Sequence, residues 1–430
     1  MQYSYIFLLL FCIPFALCGQ QTPAPPQTQA ILVRGATAHL GNGQVIENAF
    51  VAFENGKILF VADARTINIE SDKNYKIIDA TGLHLYPGFI SLNTNLGLVE
   101  IGQVRATRDS REVGRMNPHI RSIIAYNTDS RVTPTVRSNG TLLAQIVPEG
   151  GRISGQSSIV ELDAWNWEDA AYKTDDGIHL NWPSIYRFTG WWAEPGEILK
   201  NKKYDQQVNE ILEFFQEAKV YKNQKNRASK NLKFEAMRGL FDQSKQLFIH
   251  TQNAKTIMES ILFAEQFGIK CVIVGGRDSW MISDFLREHQ VPVVINEVHS
   301  LPRRVDDDID QPFKTAATLQ EAGVLFAFSM NGAWQQRNLP FQAGQAVAFG
   351  LDYEAAISGL SLNAAKILGI DQTVGSIEEG KDATFILVKG DVLDMRTCIV
   401  AQAFIRGKAI DLDNKQKALY RKFKAKYDQE

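Results

Sequence analysis

Two asparagines one residue apart, Asn93 and Asn95, end the apolar run Phe89-Ile90-Ser91-Leu92 of this 430-residue chain. Alternate side chains of a strand share a face, so both amides would be presented together at the strand's end. An amide oxygen is a poor ligand for Zn²⁺ and the amide NH₂ cannot ligate at all. Groups that do ligate or titrate follow other apolar runs. His250 ends Leu247-Phe248-Ile249, Asp278 lies just beyond Cys271-Val272-Ile273-Val274, and Glu297 and His299 follow Val291 to Asn296. His250 and His299 with one of those carboxylates could make a rearranged site for a single divalent ion such as Zn²⁺. A hydrolytic zinc needs about three protein ligands and one open position. The same residues have a plainer reading. Asp278 and Glu297 could cap helices or pair with Arg277, Arg303 or Arg304, and a lone histidine at a polar mouth could serve as an ordinary hydrogen-bonding residue. Either no metal is held or one is, with His250 the first candidate ligand.

Two further clusters carry chemistry. Glu100, Arg105, Arg108, Asp109 and Arg111 crowd one loop, where arginines could clamp a carboxylate or phosphate, or pair with Glu100, Asp109 and Glu112. Trp165, Trp167, Trp182, Trp191 and Trp192 fall close together, with Asp175, Asp176 and His179 among them. Such aromatics could wall a binding mouth or simply pack a loop.

The elements that would position these groups are legible from periodicity. Strand-like runs at Phe89 to Leu92, Thr141 to Val147, Leu247 to His250, Lys270 to Val274, Val291 to Asn296 and Val324 to Phe328 alternate with helical patterns at Ala254 to Phe267, Trp280 to His289 and Asn363 to Leu368. That alternation predicts a TIM-like (β/α)8 barrel over about 86–370. A charged helical insertion at about 200–240 reads as a solvated surface element. Short β-runs with Asn-Gly turns at 42/43 and 55/56 fill 30–85, and further strands follow over 371–412. They predict a smaller β-sandwich built from both chain ends. Residues 413–430 form a charged tail.

With 45% hydrophobic and 22% charged residues the chain can bury a large core. A net charge of −2 offers no general field for nucleic acid, so the expected partner is a small molecule in the barrel mouth, with a homo-oligomer as a further possibility. The run Ile6 to Leu17 reads as the core of a signal peptide over 1–19, although no Lys or Arg precedes it; 20–29 is then a linker. An uncleaved anchor and a lipidated Cys18 are the alternatives, the latter disfavoured by bulky Leu17. Export to a periplasmic or extracellular location follows, leaving Cys271 and Cys398 as buried thiols rather than a disulfide.

Several segments together resemble the amidohydrolase superfamily, especially its imidazolonepropionase-like branch, from about Ile31 to Gly407. They are Pro87-Gly-Phe-Ile90, Gly140-Thr141, Ile249-His250, Leu362-Asn-Ala-Ala-Lys-Ile-Leu-Gly369 and Gly375-Ser-Ile-Glu-Glu-Gly-Lys-Asp-Ala383. The resemblance implies a hydrolase acting on carbon–nitrogen bonds of small cyclic amides or dipeptides. It also implies a metal site with His-x-His where Asn93 and Asn95 stand, a histidine at His250, another near Gly275, and an aspartate where Met330 and Asn331 stand. No lysine that could bridge two metals occurs from Thr141 to Tyr172, apart from the other ligands missing. Only His250 matches. A degenerate site is therefore expected, and with it a second reading: an inactive relative that binds a ligand or partners an intact homologue.

Overall fold

The computed structural model describes residues 22–67, 74–191, 193–194, 196–224, 229–304 and 306–428. The proposed signal peptide, with Cys12 and Cys18, lies outside them, as does Trp192. The chain opens with strands β1 (Ile31–His39), β2 (Val45–Glu54), β3 (Lys57–Asp63), β4 (Lys76–Asp79) and β5 (His84–Pro87). The β2–β3 turn is Asn55-Gly56, both at positive φ, which suits the tight hairpin that its Asn-Gly pair predicts.

A closed barrel follows. Its strands are β6 (Phe89–Thr94), β7 (Thr141–Ile146), β8 (Ile153–Glu161) and β9 (Ala171–Asn181), and then, after a small hairpin of β10 (Tyr186–Phe188) and β11 (Ile198–Lys200), β12 (Gln246–Thr251), β13 (Cys271–Gly275), β14 (Val293–Asn296) and β15 (Phe326–Ser329). The eight staves are not the uniform βα repeat that periodicity predicts. β8 runs antiparallel to both β7 and β9, while every other neighbouring pair is parallel. Antiparallel neighbours need only a short connection, so the usual crossover helix is dispensable there. One turn of this meander, residues 147–152, lies with the carboxyl ends of the parallel strands. The β8–β9 connection lies at the opposite end.

The chain then returns to the first sheet with β16 (Phe385–Lys389), β17 (Ile399–Ile405) and β18 (Lys408–Ala409). Strands from both ends form one eight-stranded sheet, ordered β18-β17-β16-β5-β1-β2-β3 with β4 beside β1. Its own core includes Phe53, Phe385 and Phe404, whose ring centroids lie 4.9–5.3 Å apart.

Helices cover the barrel's outside because each carries one apolar stripe. Helix Ala254–Phe267 buries Ile257, Ile261, Ala264 and Phe267 and stops at Gly268 in the left-handed region. Burial of each large apolar side chain contributes roughly 1.5–3 kcal/mol. The segment expected to be a solvated surface element is two helices, Tyr204–Asn223 and Leu232–Phe241. Ile211, Phe215 and Ala218 of the first, and Met237 and Leu240 of the second, are buried in the main core. Their lysines and glutamates mask the apolar spacing in the composition, and the stripe survives.

Beneath the barrel, Arg137 is fully buried, bonded to the Asp163 carboxylate and donating to the Leu162 carbonyl at 3.0 Å. Asp163 also accepts the Ala24 backbone N–H at 2.8 Å, which ties the segment before β1 to the barrel. Removing one partner leaves an uncompensated buried charge. Asp163→Ala should cost about 3–5 kcal/mol, read as a fall in the urea midpoint, whereas Arg137→Met with Asp163→Leu should cost far less. A loss under ~1 kcal/mol for Asp163→Ala would sink this assignment.

Candidate functional site

The carboxyl ends of the barrel strands surround a polar cavity of about 320 Å³. Asn93 and Asn95 enter it from β6, Asn181 from β9, His250 from β12, and Asn331 with Gly332 from beyond β15. The β7–β8 turn adds Glu149 and the β6 loop adds Arg111.

The β6 end departs from simple alternation. Asn93 sits at φ +52, a conformation that asparagine tolerates better than most residues, and the β6–β7 register shifts between Ser91 and Thr94. This turns the Asn93 backbone N–H onto Gln145 Oε1 at 3.2 Å. Gln145 passes the contact on, donating to Asp176 Oδ2 at 2.8 Å and Ser157 Oγ at 3.2 Å. All three side chains are buried, and burial pushes the Asp176 carboxyl above its ordinary value.

Asn95 donates to Glu149 Oε1 at 2.9 Å, while Glu149 Oε2 takes Ser110 Oγ at 3.2 Å and Arg111 Nε at 3.3 Å. Asn95 Oδ1 is buried without a partner. An unsatisfied acceptor beside the cavity costs about 1–3 kcal/mol unless something donates to it, so a ligand N–H or a water fits there.

His250 shares a hydrogen bond of 2.9 Å with His179, joining its Nε2 to Nδ1 of the other ring. His179 is stacked on Phe248, is fully buried, and leaves Nε2 without a partner. Burial drives both imidazoles down, His250 to about 4, so both are neutral at pH 7. Two neutral rings can share one hydrogen bond as donor and acceptor without charge repulsion.

The other sequence candidates go elsewhere. Asp278 is buried against Arg277 at 3.3 Å and Arg304 at 3.1 Å, and accepts the Ala254 N–H at the start of helix Ala254–Phe267 at 3.3 Å. It lines a second cavity with Gly275, Asn296, Glu297 and Arg304. His299 faces outward, its Nδ1 against Gln342 Nε2 at 2.5 Å and its ring edge-on to Phe313. The structure therefore does not gather His250, Asp278 and His299 around one point. Gly275 is at φ +96, and a Cβ there would lie 2.1 Å from Gln252 Nε2, so Gln252 occupies the space a side chain would need. Asn331 accepts from Asn296 Nδ2 and donates to Glu297 Oε1, both at 2.6 Å, spanning the two cavities. Glu100 accepts from Asn127 and Arg131, and Arg105 and Arg108 are exposed and outside the cavity lining. The tryptophans split. Trp165 and Trp167 lie on the β8–β9 connection, whereas Trp182 beyond β9 is buried and donates to Tyr204 at 3.0 Å.

Sequence reading missed Glu149 and the His179–His250 pair. The signal for Glu149 was Glu149-Gly150-Gly151 between two strand-like runs, and for His179 its place two residues before the end of a strand. Among the described residues no three His, Cys, Asp or Glu side chains converge to hold a metal. Near the cavity the ionisable donors are His250, bonded to His179, and Glu149, engaged on both oxygens. This donor set does not fit a tetrahedral zinc.

Residues 168–410 match the model of the amidohydrolase family. No curated protein sequence matches the chain. An amidohydrolase from Thermotoga maritima superposes with a TM-score of 0.75 at 25% identity, over 88% of this chain and 99% of that one. A prolidase complexed with N-methylphosphonate-L-proline gives 0.54 at 16%, covering 89% and 99%, and a zinc-bound adenosine deaminase from Xanthomonas campestris 0.51 at 17%, covering 94% and 99%. At those lower identities the likeness is one of fold.

The depressed histidines set a pH dependence. Between about 6.5 and about 4 the unfolded chain binds protons that folded His250 refuses, so stability rises with pH across that window. The contribution is complete above about 6.5 and is lost as pH falls toward 4. Urea midpoints measured across this range should show that slope, and His250→Asn should reduce it. An NMR titration placing His250 near 6.5 would contradict the buried, neutral pair.

Proposed function

This chain belongs to the amidohydrolase family, and from that premise we propose that its barrel mouth binds a small, polar, amide-bearing ligand without a conventional zinc centre. One observation carries the reading. At the strand ends where the family resemblance places metal ligands stand Asn93, Asn95, Gly275 and Asn331, and the remaining His250 is bonded to a second buried imidazole. The polar lining of the cavity is a set of amides and two hydroxyls, with one imidazole, one carboxylate and one guanidinium. Such groups recognise an amide or a carboxylate by hydrogen bonds, with the free Asn95 Oδ1 as acceptor and Arg111 as cation.

We read the chain as a degenerate member of the imidazolonepropionase-like branch, with the eight-stranded sheet as its small sandwich-like domain. In this reading it is exported and works alone or beside an intact homologue. A second reading rests on family membership and on the His250 ring facing the cavity: hydrolysis of carbon–nitrogen bonds at a rearranged, mononuclear site.

Metal analysis and ligand binding separate the two. Purified protein should carry far less than one zinc per chain, unchanged by His250→Ala. In a thermal-shift screen of dipeptides and cyclic amides, the best binder should lose about tenfold in affinity on Asn95→Ala or Arg111→Ala. Stoichiometric zinc that disappears with His250→Ala, together with turnover of those amides, would replace this proposal with the hydrolase.

A further inference from the structure

The last helix, Lys415–Tyr427, buries none of its residues. It is fixed only at its start. There Asn414 bonds Ser138 and caps the Lys417 N–H, Gln416 Oε1 accepts from Thr135, and Arg421 pairs with Asp413 at 2.6 Å. A helix of this length is marginal in water by itself. Its charges make matters worse, since Lys417 with Arg421 and Lys422 with Lys426 are like-charged neighbours one turn apart. Among the described residues, Lys415, Lys422, Lys424 and Lys426 form no ion pair with a carboxylate, while Lys417 donates to the Leu412 carbonyl and lies near Asp413.

At 100° per residue, Leu419, Phe423, Tyr427 and Tyr420 fall within one arc of about 100°, which at the helix start also holds Gln416, the residue bonded to Thr135. Lys415 and Lys426 border that arc on one side and Lys417 and Lys424 on the other. Tyr420 and Tyr427 are 67% and 63% exposed, and Phe423 is 49% exposed. An aromatic stripe flanked on both sides by lysines matches a lipid–water boundary, where rings enter the acyl edge and ammonium groups reach back to anionic headgroups. Six cations on a 13-residue helix, in a chain of net charge −2, supply the charge complementarity. No described helix is long and apolar enough to cross a membrane, so the helix would lie on the surface.

We propose that this helix docks the protein onto an anionic lipid surface, which relieves the lysine repulsion and covers the stripe. The inference stands independently of the barrel's function. Co-sedimentation of the full chain with phosphatidylcholine vesicles, with and without phosphatidylglycerol, tests it. The apolar run Ile6 to Leu17 carries no Lys or Arg, so any insertion by it would not depend on lipid charge. The increment in binding that phosphatidylglycerol adds over phosphatidylcholine alone should weaken with salt, and should fall about fivefold for each charge removed in Lys417→Gln and Lys424→Gln. Phe423→Ser should weaken it as well, and none of these variants should change the thermal midpoint. Equal binding to neutral vesicles, indifference to these substitutions, or retention of duplex DNA or an acidic polypeptide in place of vesicles would overturn the proposal.

Discussion

The reversed strand β8 is the constraint on which the barrel mouth depends. Because β7, β8 and β9 form a meander, the connection after β7 is a turn at the mouth rather than a helix outside the barrel. That turn delivers Glu149 to Asn95. The same reversal sends the β8–β9 connection to the far end, which separates the tryptophans that sequence proximity groups together. It also lets Gln145, Ser157 and Asp176 sit on three adjacent strands and bond through Gln145, leaving Asp176 Oδ1 alone without a partner. A half-satisfied polar layer in a closed barrel would be costly, so these three side chains work as a unit.

Charge at the mouth is arranged to be quiet. The two imidazoles are kept neutral by burial, and Glu149 is matched by Arg111, Ser110 and Asn95. The contrast with Asp278 is instructive. That carboxylate, one strand end further round, is engaged by two arginines and a helix start, which makes it part of the scaffold. Under the proposed ligand-binding role, recognition at this mouth would be a matter of hydrogen-bond geometry more than of field.

Much of the fold was legible because barrel strands buried on both faces read as apolar runs, as in Cys271-Val-Ile-Val274 and Phe326-Ala-Phe328. β8 and β9 were not. Ile153-Ser-Gly-Gln-Ser-Ser158 and Tyr172-Lys-Thr-Asp-Asp-Gly177 are polar on both faces, Ser157 and Asp176 bonding within the barrel while Tyr172, Lys173 and Asp175 bond Asp382, the Leu368 carbonyl and Arg121 outside it, which erases the alternation that marks a strand. The helices over 204–241 were visible, but their buried stripe was hidden by abundant charge. At the site, the family resemblance singled out Asn93, Asn95, Asn331 and His250 by their places at strand ends. The pairing of His179 with His250 depends on β9 lying beside β12, across 71 residues of sequence, and no local pattern encodes that.

Gly275 sets the terms on which this barrel could be rebuilt. Its backbone is in a region that side-chain-bearing residues enter at a cost of about 1–3 kcal/mol, and Gln252 fills the adjoining volume. The Gln252 amide is the end of an exposed, flexible side chain and can swing aside, so the lasting obstacle to an imidazole on β13 is the strand's last peptide, held at φ +96. New donors at 93, 95 or 331 would therefore still lack a partner from β13, two or more staves away, until that backbone is rebuilt.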